Sequence, residues 1–485
     1  MAAKYEMVAG LEVHCQLATK TKLFCSCATD GFGQPPNSRV CPVCTGQPGV
    51  LPVLNREAVE LAFKAALALD CELAPVSIFA RKNYFYPDLP KAYQISQYER
   101  PFASGGGLEI RLKDGSAKRV GLERVHMEED AGKLLHAIGA RELDCSLVDF
   151  NRGGAPLIEI VSKPDLRGPE EAHAYLAALK EVLQYVGVSR CDMEKGEMRC
   201  DANVSVRPAG GEGLGTRAEI KNLNSFKGVK DALDYEFRRQ VELIESGGRV
   251  VQETRLWSAS AMATAPMRSK EEAHDYRYFP DPDLPPLEAG RAWLEGLKAG
   301  LPELPAARRA GFLAQYRLSL YDAEVLTSDR MLADRFDREM EGQPAACAKP
   351  LVNLMTTEFL ARLNAEKLTP PQSPVAEGLL AELVGLTQAG VISSKLEKEV
   401  FARMWETSKT PKQLVEELGL RQVSDEGQIR AWVAQALAGD PKAAEDLRSG
   451  KDRAAGALVG AVMKISKGKA NPALVNRLIK EAVRS

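Results

Sequence analysis

The sequence predicts an α+β chain, with a mainly antiparallel β-sheet domain in the N-terminal part and two all-α domains after it. Three observations carry this. Up to about residue 286, short runs alternate apolar and polar residues with a period of two, punctuated by Gly and Pro. A few amphipathic helices interrupt those runs. From about residue 293 the pattern becomes helix after helix, rich in Ala, Leu, Glu and Lys.

Strands are expected over residues 7–17, 108–112, 119–122, 146–150, 157–161, 199–207 and 217–221. Asn55 is placed to cap a helix over 56–69. A second helix, over 170–186, stops before Gly187, and a third, over 229–246, stops at Gly247-Gly248. Residues 284–286 read as a linker and 407–411 as a further break, so the expected domains are 1–292, 293–407 and 408–485. Ser393-Ser394-Lys395 looks like a hydrolase centre, but an amphipathic helix with Leu396, Val400 and Phe401 starts there, and helix capping explains the serines better.

Bulk properties narrow the class. The 485 residues are 45% hydrophobic and 27% charged with a formal net charge of −2, so the chain is not a general polyanion binder. Contact with nucleic acid must come from a local patch. Residues 451–485 supply one, with eight basic residues against Asp452 and Glu481, a local net of +6. Leu458, Val459, Val462 and Ile465 form an apolar stripe there, and Asn471-Pro472 suits the start of a last helix. No apolar run has signal-peptide or membrane-spanning character, so the cytoplasm is the expected compartment.

Ten cysteines without an export signal suggest thiols and metal, not disulfides. Cys25 and Cys27 form a CxC, and Cys41 and Cys44 a CxxC, with thirteen residues between the pairs. Four thiolates in a Gly/Pro-rich excursion over 25–44 suit structural Zn²⁺, because four sulfur ligands leave no open position for substrate. Cys15, Cys71, Cys145, Cys191, Cys200 and Cys347 read as small core residues.

Side chains two apart share a strand face. Glu12, His14 and Gln16 therefore lie together, as do Arg199, Asp201, Asn203, Ser205 and Arg207, and as do Glu219 and Lys221. In the 126–130 segment, parity groups Glu128 with His126 and leaves Glu129 beside apolar residues, unless a turn intervenes. Acids, imidazole and amides so concentrated suit Mg²⁺ or Mn²⁺ bridging nucleotide phosphates. Neither a GxxxxGK[ST] loop nor a GxGxxG turn is present, so ATP would bind through another architecture.

Long segments then resemble one family: GLEVH at 10–14, PGVLPVLN at 48–55, RKNYFYPDLPKAYQISQ at 81–97, HMEEDAGK at 126–133, DFNRGGAPLIEIVS at 149–162, RCDANV at 199–204, EIKNLNSF at 219–226 and DYRYFPDPDLPP at 275–286. They are similar to the B subunits of the tRNA-dependent aspartyl/glutamyl amidotransferases. Residues 458–472 resemble the tail domain shared with YqeY-type proteins, so the likeness runs end to end. It implies a cradle-shaped catalytic domain, a helical connector and a mobile tail that holds tRNA. It also implies a ligase that uses ATP to phosphorylate the side chain of Glu or Asp misacylated onto tRNA(Gln) or tRNA(Asn), and then delivers ammonia to it. Glu12, His14, Glu128 or Glu129, Asp201 and Glu219 become the Mg²⁺ candidates. Lys82, Lys221 and Arg199 are charge stabilisers, with Arg199 and Asn203 assigned to the nucleotide. Lys464, Lys467, Lys469, Arg477 and Lys480 are assigned to tRNA. The four cysteines, which some relatives lack, imply a retained zinc. The resemblance implies ammonia from an amidase-like A subunit, with a small C subunit supporting the pair, and a non-discriminating aminoacyl-tRNA synthetase is a further expected partner. Tyr84, Phe85 and Tyr86 either stack on a base or pack a core, with the core favoured. Asn222 and Asn224 either orient substrate or cap a turn. Two competing readings are a zinc-containing RNA-binding scaffold, disfavoured by the acidic strand faces, and a ligase for a free small acid, disfavoured by the basic tail.

Overall fold

The computed structural model describes residues 4–484 apart from 140, 269–272, 424, 450–452 and 467. The chain divides into two compact units, Met1–Leu304 and Pro305–Ser485. The first is built on a ten-stranded sheet, and the second is helical.

Along the sheet the strands run Ala263–Arg268, Glu253–Ser258, Ala218–Leu223, Met198–Pro208, Tyr5–Gln16, Pro156–Ser162, Ala117–Glu129, Ala103–Ser104 and Glu72–Leu73, with Gly107–Arg111 also pairing with Ala117–Glu129. Every pairing is antiparallel except that of Ala218–Leu223 with Glu253–Ser258. All seven expected strands exist; five end within a few residues of expectation, while the one expected over 119–122 runs on to Glu129 and the one expected over 146–150 begins at Arg141, in a separate two-stranded ribbon with Lys133–Ile138. One sheet face is apolar: Leu11, Val13, Cys15, Val125, Met127, Ile158, Ile160, Cys200, Ala202, Val204 and Ile220 are buried. They share a core with Tyr175, Leu176 and Leu179 of the helix Pro169–Tyr185, and with Val229, Ala232 and Leu233 of the helix Phe226–Glu245. Burying one face of these alternating strands leaves the other free for polar groups, and that division positions the site described below.

The helix Arg291–Ala299, which the sequence pattern assigns to the helical half, belongs to the first unit. Its Trp293, Leu294 and Leu297 pack on the sheet domain's core, and Trp293 lies 5.3 Å from the Phe63 ring. The division of the chain therefore falls after Leu304 and not at residue 292.

In the second unit Ser393 caps Ser394–Thr407 through the Leu396 N–H, at 3.4 Å, so its hydroxyl serves the helix. Ser408, at φ 54°, ends that helix, and Thr410 with Gln413 forms a capping box for Pro411–Glu417. Asn471 accepts from the Ala473 and Leu474 N–H groups and starts Pro472–Arg484. Leu458 and Val462 join Ile429, Val433, Val475, Leu478 and Ile479 in a small core, with Val459 and Ile465 against its edge.

Asn55 couples local to long-range structure. Its Oδ1 accepts from the Ala58 N–H, at 3.2 Å, as the cap of Arg56–Ala68. Its Nδ2 donates to Thr21 O, Thr21 Oγ1 and Lys22 O at 3.1, 3.0 and 3.2 Å, anchoring the chain that leads to Cys25. Asn55→Ala is expected to cost about 2–3 kcal/mol, read from urea unfolding. Asn55→Asp keeps the cap acceptor but sets a carboxylate oxygen against the Thr21 and Lys22 carbonyls, so it should not recover the loss. An Ala variant within about 0.5 kcal/mol of the parent, the usual range for a surface change, contradicts this role.

Candidate functional site

Register brings the polar residues together. Glu159 pairs with His126 on one side and His14 on the other, and His14 pairs with Arg199, so four strands contribute one polar row. In the next row Glu12 faces Asp201, and beyond it Gly10 faces Asn203, which faces Glu219. Directly paired residues of antiparallel strands point to the same side, so these rows form one continuous face.

The densest part centres on His14. Its Nε2 lies 3.3 Å from Glu128 Oε1 and 3.4 Å from Glu159 Oε2. His126 Nε2 lies 3.1 Å from Glu159 Oε2 and 3.8 Å from Glu128 Oε2. Ser96 donates its hydroxyl to Glu128 at 3.3 Å. Burial alone would lower the His14 pKa, but Glu159 and Glu128 reverse that and raise it to about 10. Burial works to raise both carboxyls, yet the two imidazoles hold Glu159 well below the usual range and Glu128 below it. One ligand atom from each of His14, Glu128 and Glu159 lies within 4.8 Å of the others, an arrangement that can hold a hard divalent cation in place of the His14 proton.

Beside this cluster, Asn203 Nδ2 donates to Glu12 Oε1 at 2.8 Å. Lys221 Nζ donates to Asp201 Oδ2 at 3.1 Å and lies 3.5 Å from Glu219 Oε1, while Thr254 donates to Glu219 Oε2 at 3.0 Å. Burial would lower the Lys221 pKa, but Asp201 and Glu219 keep it raised. Arg199 pairs with Asp130 at 2.7 Å. A cleft of about 560 Å³ opens at Gly10, Glu12, Ser162, Asn203, Leu214 and Arg217.

Several expectations change. Glu129 leaves the polar face, as its parity with Val125 and Met127 requires, and its carboxylate is taken by Lys91 and by the Ile95 N–H at 3.0 Å. Lys82 stands on the strand Ala80–Asn83, outside the large sheet, with its ammonium 4.7 Å from the Tyr276 ring. Glu159 is a site residue that sequence reasoning misses. Its signal is a lone acid inside the apolar run of Pro156–Ser162. Asn222 Nδ2 donates to Trp257 O, and Asn224 Nδ2 to Asn222 Oδ1, both at 3.0 Å, with Asn222 in the left-handed region at φ 66°. Cys145, expected in a core, is exposed on Arg141–Asp149.

The four cysteines converge, with their Sγ atoms all within 4.8 Å of one another. Tetrahedral Zn²⁺ with bonds of about 2.3 Å sets sulfurs roughly 3.8 Å apart, so the cluster fits that ion. The Cys25 thiol, the Cys41 N–H at 3.2 Å and the Lys22 ammonium at 3.5 Å together bring the Cys44 pKa down to about 4 against the effect of burial. Its contact with Cys44, and burial, push Cys25 up, while burial and Cys41 push Cys27 up to about 11. Lys22 is fully buried, so one cation already stands beside the thiolate pole.

In the tail, Lys464 and Lys480 are exposed and Lys469 is half-buried. Arg477 pairs with Glu426 and lies 3.8 Å from Glu481, which gives it a structural task among the helices. Lys467 lies outside the described residues.

Two family models match the chain: the GatB/GatE catalytic domain over residues 7–295 and the GatB domain over residues 339–483. A Carboxydothermus hydrogenoformans protein, named as the B subunit of an aspartyl/glutamyl-tRNA(Asn/Gln) amidotransferase, is 53% identical over 478 residues, covering 99% of this chain and 98% of that protein. Proteins of the same name from Geotalea daltonii and Brevibacillus brevis are 55% and 52% identical, each covering at least 98% of both chains. The chain therefore belongs to the GatB/GatE family, among the B subunits of the aspartyl/glutamyl-tRNA(Asn/Gln) amidotransferases.

Proposed function

We propose that this chain is the ATP-dependent ligase component that activates and amidates the side chain of Glu or Asp misacylated onto tRNA(Gln) or tRNA(Asn). The observation that carries this reading is the cluster of His14, Glu128 and Glu159, continued by Glu12, Asp201, Glu219 and Lys221 on one sheet face. A side-chain carboxylate is a poor electrophile, so ATP first phosphorylates it, and ammonia then displaces phosphate from the acyl phosphate. His14, Glu128 and Glu159 would hold a Mg²⁺ or Mn²⁺ ion, which would neutralise phosphate charge. Lys221 and Arg199 add fixed positive charge on the same face, and their own carboxylate partners keep them protonated there. The cleft beside Glu12 and Asn203 has room for the nucleotide. Ser393 caps a helix and is not a glutaminase centre, so ammonia comes from an amidase-like A subunit, with a small C subunit supporting the pair. The tail over 408–485 takes the phosphate backbone of tRNA through Lys464, Lys467, Lys469 and Lys480, and the 305–407 segment connects it to the catalytic part. We assign the assembly to the cytoplasm, with a non-discriminating synthetase supplying the misacylated tRNA.

In the assembled enzyme, His14→Ala and Glu159→Gln are each expected to lower phosphorylation of the charged tRNA by at least about a hundredfold. Glutamine hydrolysis by the partner should persist. Acyl-phosphate formation at parental rate in both variants would sink the assignment.

Cys25, Cys27, Cys41 and Cys44 are assigned one structural Zn²⁺. Metal analysis of the purified chain should return one zinc per chain, and Cys41→Ser should lower that occupancy and the thermal stability of the first unit. Equal zinc content in the parent and in a variant lacking all four cysteines rules the site out.

A further inference from the structure

Asp130 and Arg199 meet across the candidate site from strands that are not neighbours. Arg199 stands on Met198–Pro208, and Asp130 directly follows Ala117–Glu129, with Tyr5–Gln16 and Pro156–Ser162 lying between those two strands. Neighbouring strands are about 4.8 Å apart, so the two backbones are separated by roughly 14 Å. A guanidinium nitrogen of Arg199 nevertheless lies 2.7 Å from Asp130 Oδ1. Only an extended arginine spans that distance, and its guanidinium therefore lies over the strands that carry His14 and Glu159.

Asp130 is held in place independently of this contact. Its N–H donates to Ala155 O, and the Gly154 N–H donates to Asp130 O, both at 2.8 Å. Arg152 donates to the Ala131 and Gly132 carbonyls at 3.1 and 2.6 Å. At Gly132 an added Cβ would meet Asp149 O at 3.0 Å and Asp88 O at 3.1 Å, so the loop is also closely packed. Backbone bonds and Arg152 thus fix the loop without the Asp130 carboxylate. That carboxylate is buried, yet its Oδ2 accepts no hydrogen bond, with Arg152 Nε 3.4 Å away, while its Oδ1 accepts from the Ala131 N–H at 2.9 Å and faces Arg199.

The guanidinium has other acids to choose from. Arg199 pairs with His14 in the ladder, and Asp201 is the next residue on its own strand face. Glu128 is the same-face position before Asp130 on the far strand. An arginine that settled on Glu128 would occupy carboxylate oxygens that a divalent ion needs. Held by Asp130 instead, the Arg199 side chain stays 39% exposed, with further N–H donors to offer a phosphate. We propose that Asp130 is a positioning residue, which holds the Arg199 guanidinium over the site and off Glu128, so that Glu128 stays open to a divalent ion. The inference rests on the metal reading of His14, Glu128 and Glu159 above.

A double-mutant cycle on the assembled enzyme tests it, with Mn²⁺ affinity at His14 as the readout. Affinity is measured by electron paramagnetic resonance in the parent, Asp130→Asn, Arg199→Gln and the double variant. Asp130→Asn keeps the side chain's size and frees Arg199, so Mn²⁺ should bind about 10- to 100-fold more weakly. Arg199→Gln should bind Mn²⁺ at least as tightly as the parent. With Arg199 gone, adding Asp130→Asn should cost no more than about twofold, because no guanidinium is left to fall on Glu128. An equal loss from Asp130→Asn in both backgrounds overturns the proposal, since Asp130 would then act through its own charge or through the loop. Unchanged affinity in Asp130→Asn overturns it too, as does an Asp130→Asn chain that fails to assemble on size exclusion while Arg199→Gln assembles. Failure of the underlying reading looks different, because the parent assembly itself would then bind no Mn²⁺ at His14.

Discussion

The strand Tyr5–Gln16 has antiparallel partners on both edges, and the two ladders fix its register against Pro156–Ser162 and Met198–Pro208. That register sets His14 opposite Glu159 on one side and Arg199 on the other, while Val13 and Cys15 go to the core. A slip of one residue would place His14 and Glu12 under the helices and Val13 in the cleft. The core on the reverse face forbids that slip, because Leu11, Val13 and Cys15 have no exposed surface to give up. The arrangement of acids at the site is thus a consequence of hydrophobic burial on the opposite side of the same strands.

The charges on the polar face are arranged so that few stand alone. His14 lies between Glu128 and Glu159, and Lys221 between Asp201 and Glu219. Without these cations the buried carboxylates would repel one another and take up protons. A divalent cation bound at His14 would replace its proton and add one further positive charge against the two carboxylates, which makes the cluster compatible with both a protonated and a metal-bound state. The cysteine cluster follows the same logic, with buried Lys22 set against the Cys44 thiolate.

Much of this is legible in the sequence. Period-two alternation locates the central strands and groups Glu12 with His14, Asp201 with Asn203 and Glu219 with Lys221 on the polar faces of their own strands, and cysteine spacing locates the four thiols; that the three faces are one comes from pairing. Other features depend on tertiary context. The strands Glu253–Ser258 and Ala263–Arg268 carry little alternation, and the second contains Pro266, so local pattern does not mark them. Glu159 reads as one acid in an apolar strand until pairing shows His126 and His14 on either side. Glu129 follows its parity, but only the structure shows Lys91 beside it. Phe85 looks like a core residue by type, and Arg477 like a free cation, because sequence does not reveal which surfaces or acids will lie beside them.

His14 and its two carboxylates are proposed to hold a divalent ion at the reacting centre. Pulsed electron paramagnetic resonance of Mn²⁺ bound to the chain tests it most directly, because a coordinated imidazole couples its nitrogen to the metal spin. The expected spectrum carries that coupling in the parent and loses it in His14→Asn, with ¹⁵N-histidine labelling identifying the nucleus. Mn²⁺ bound without histidine coupling, or coupling unchanged in His14→Asn, would contradict the claim.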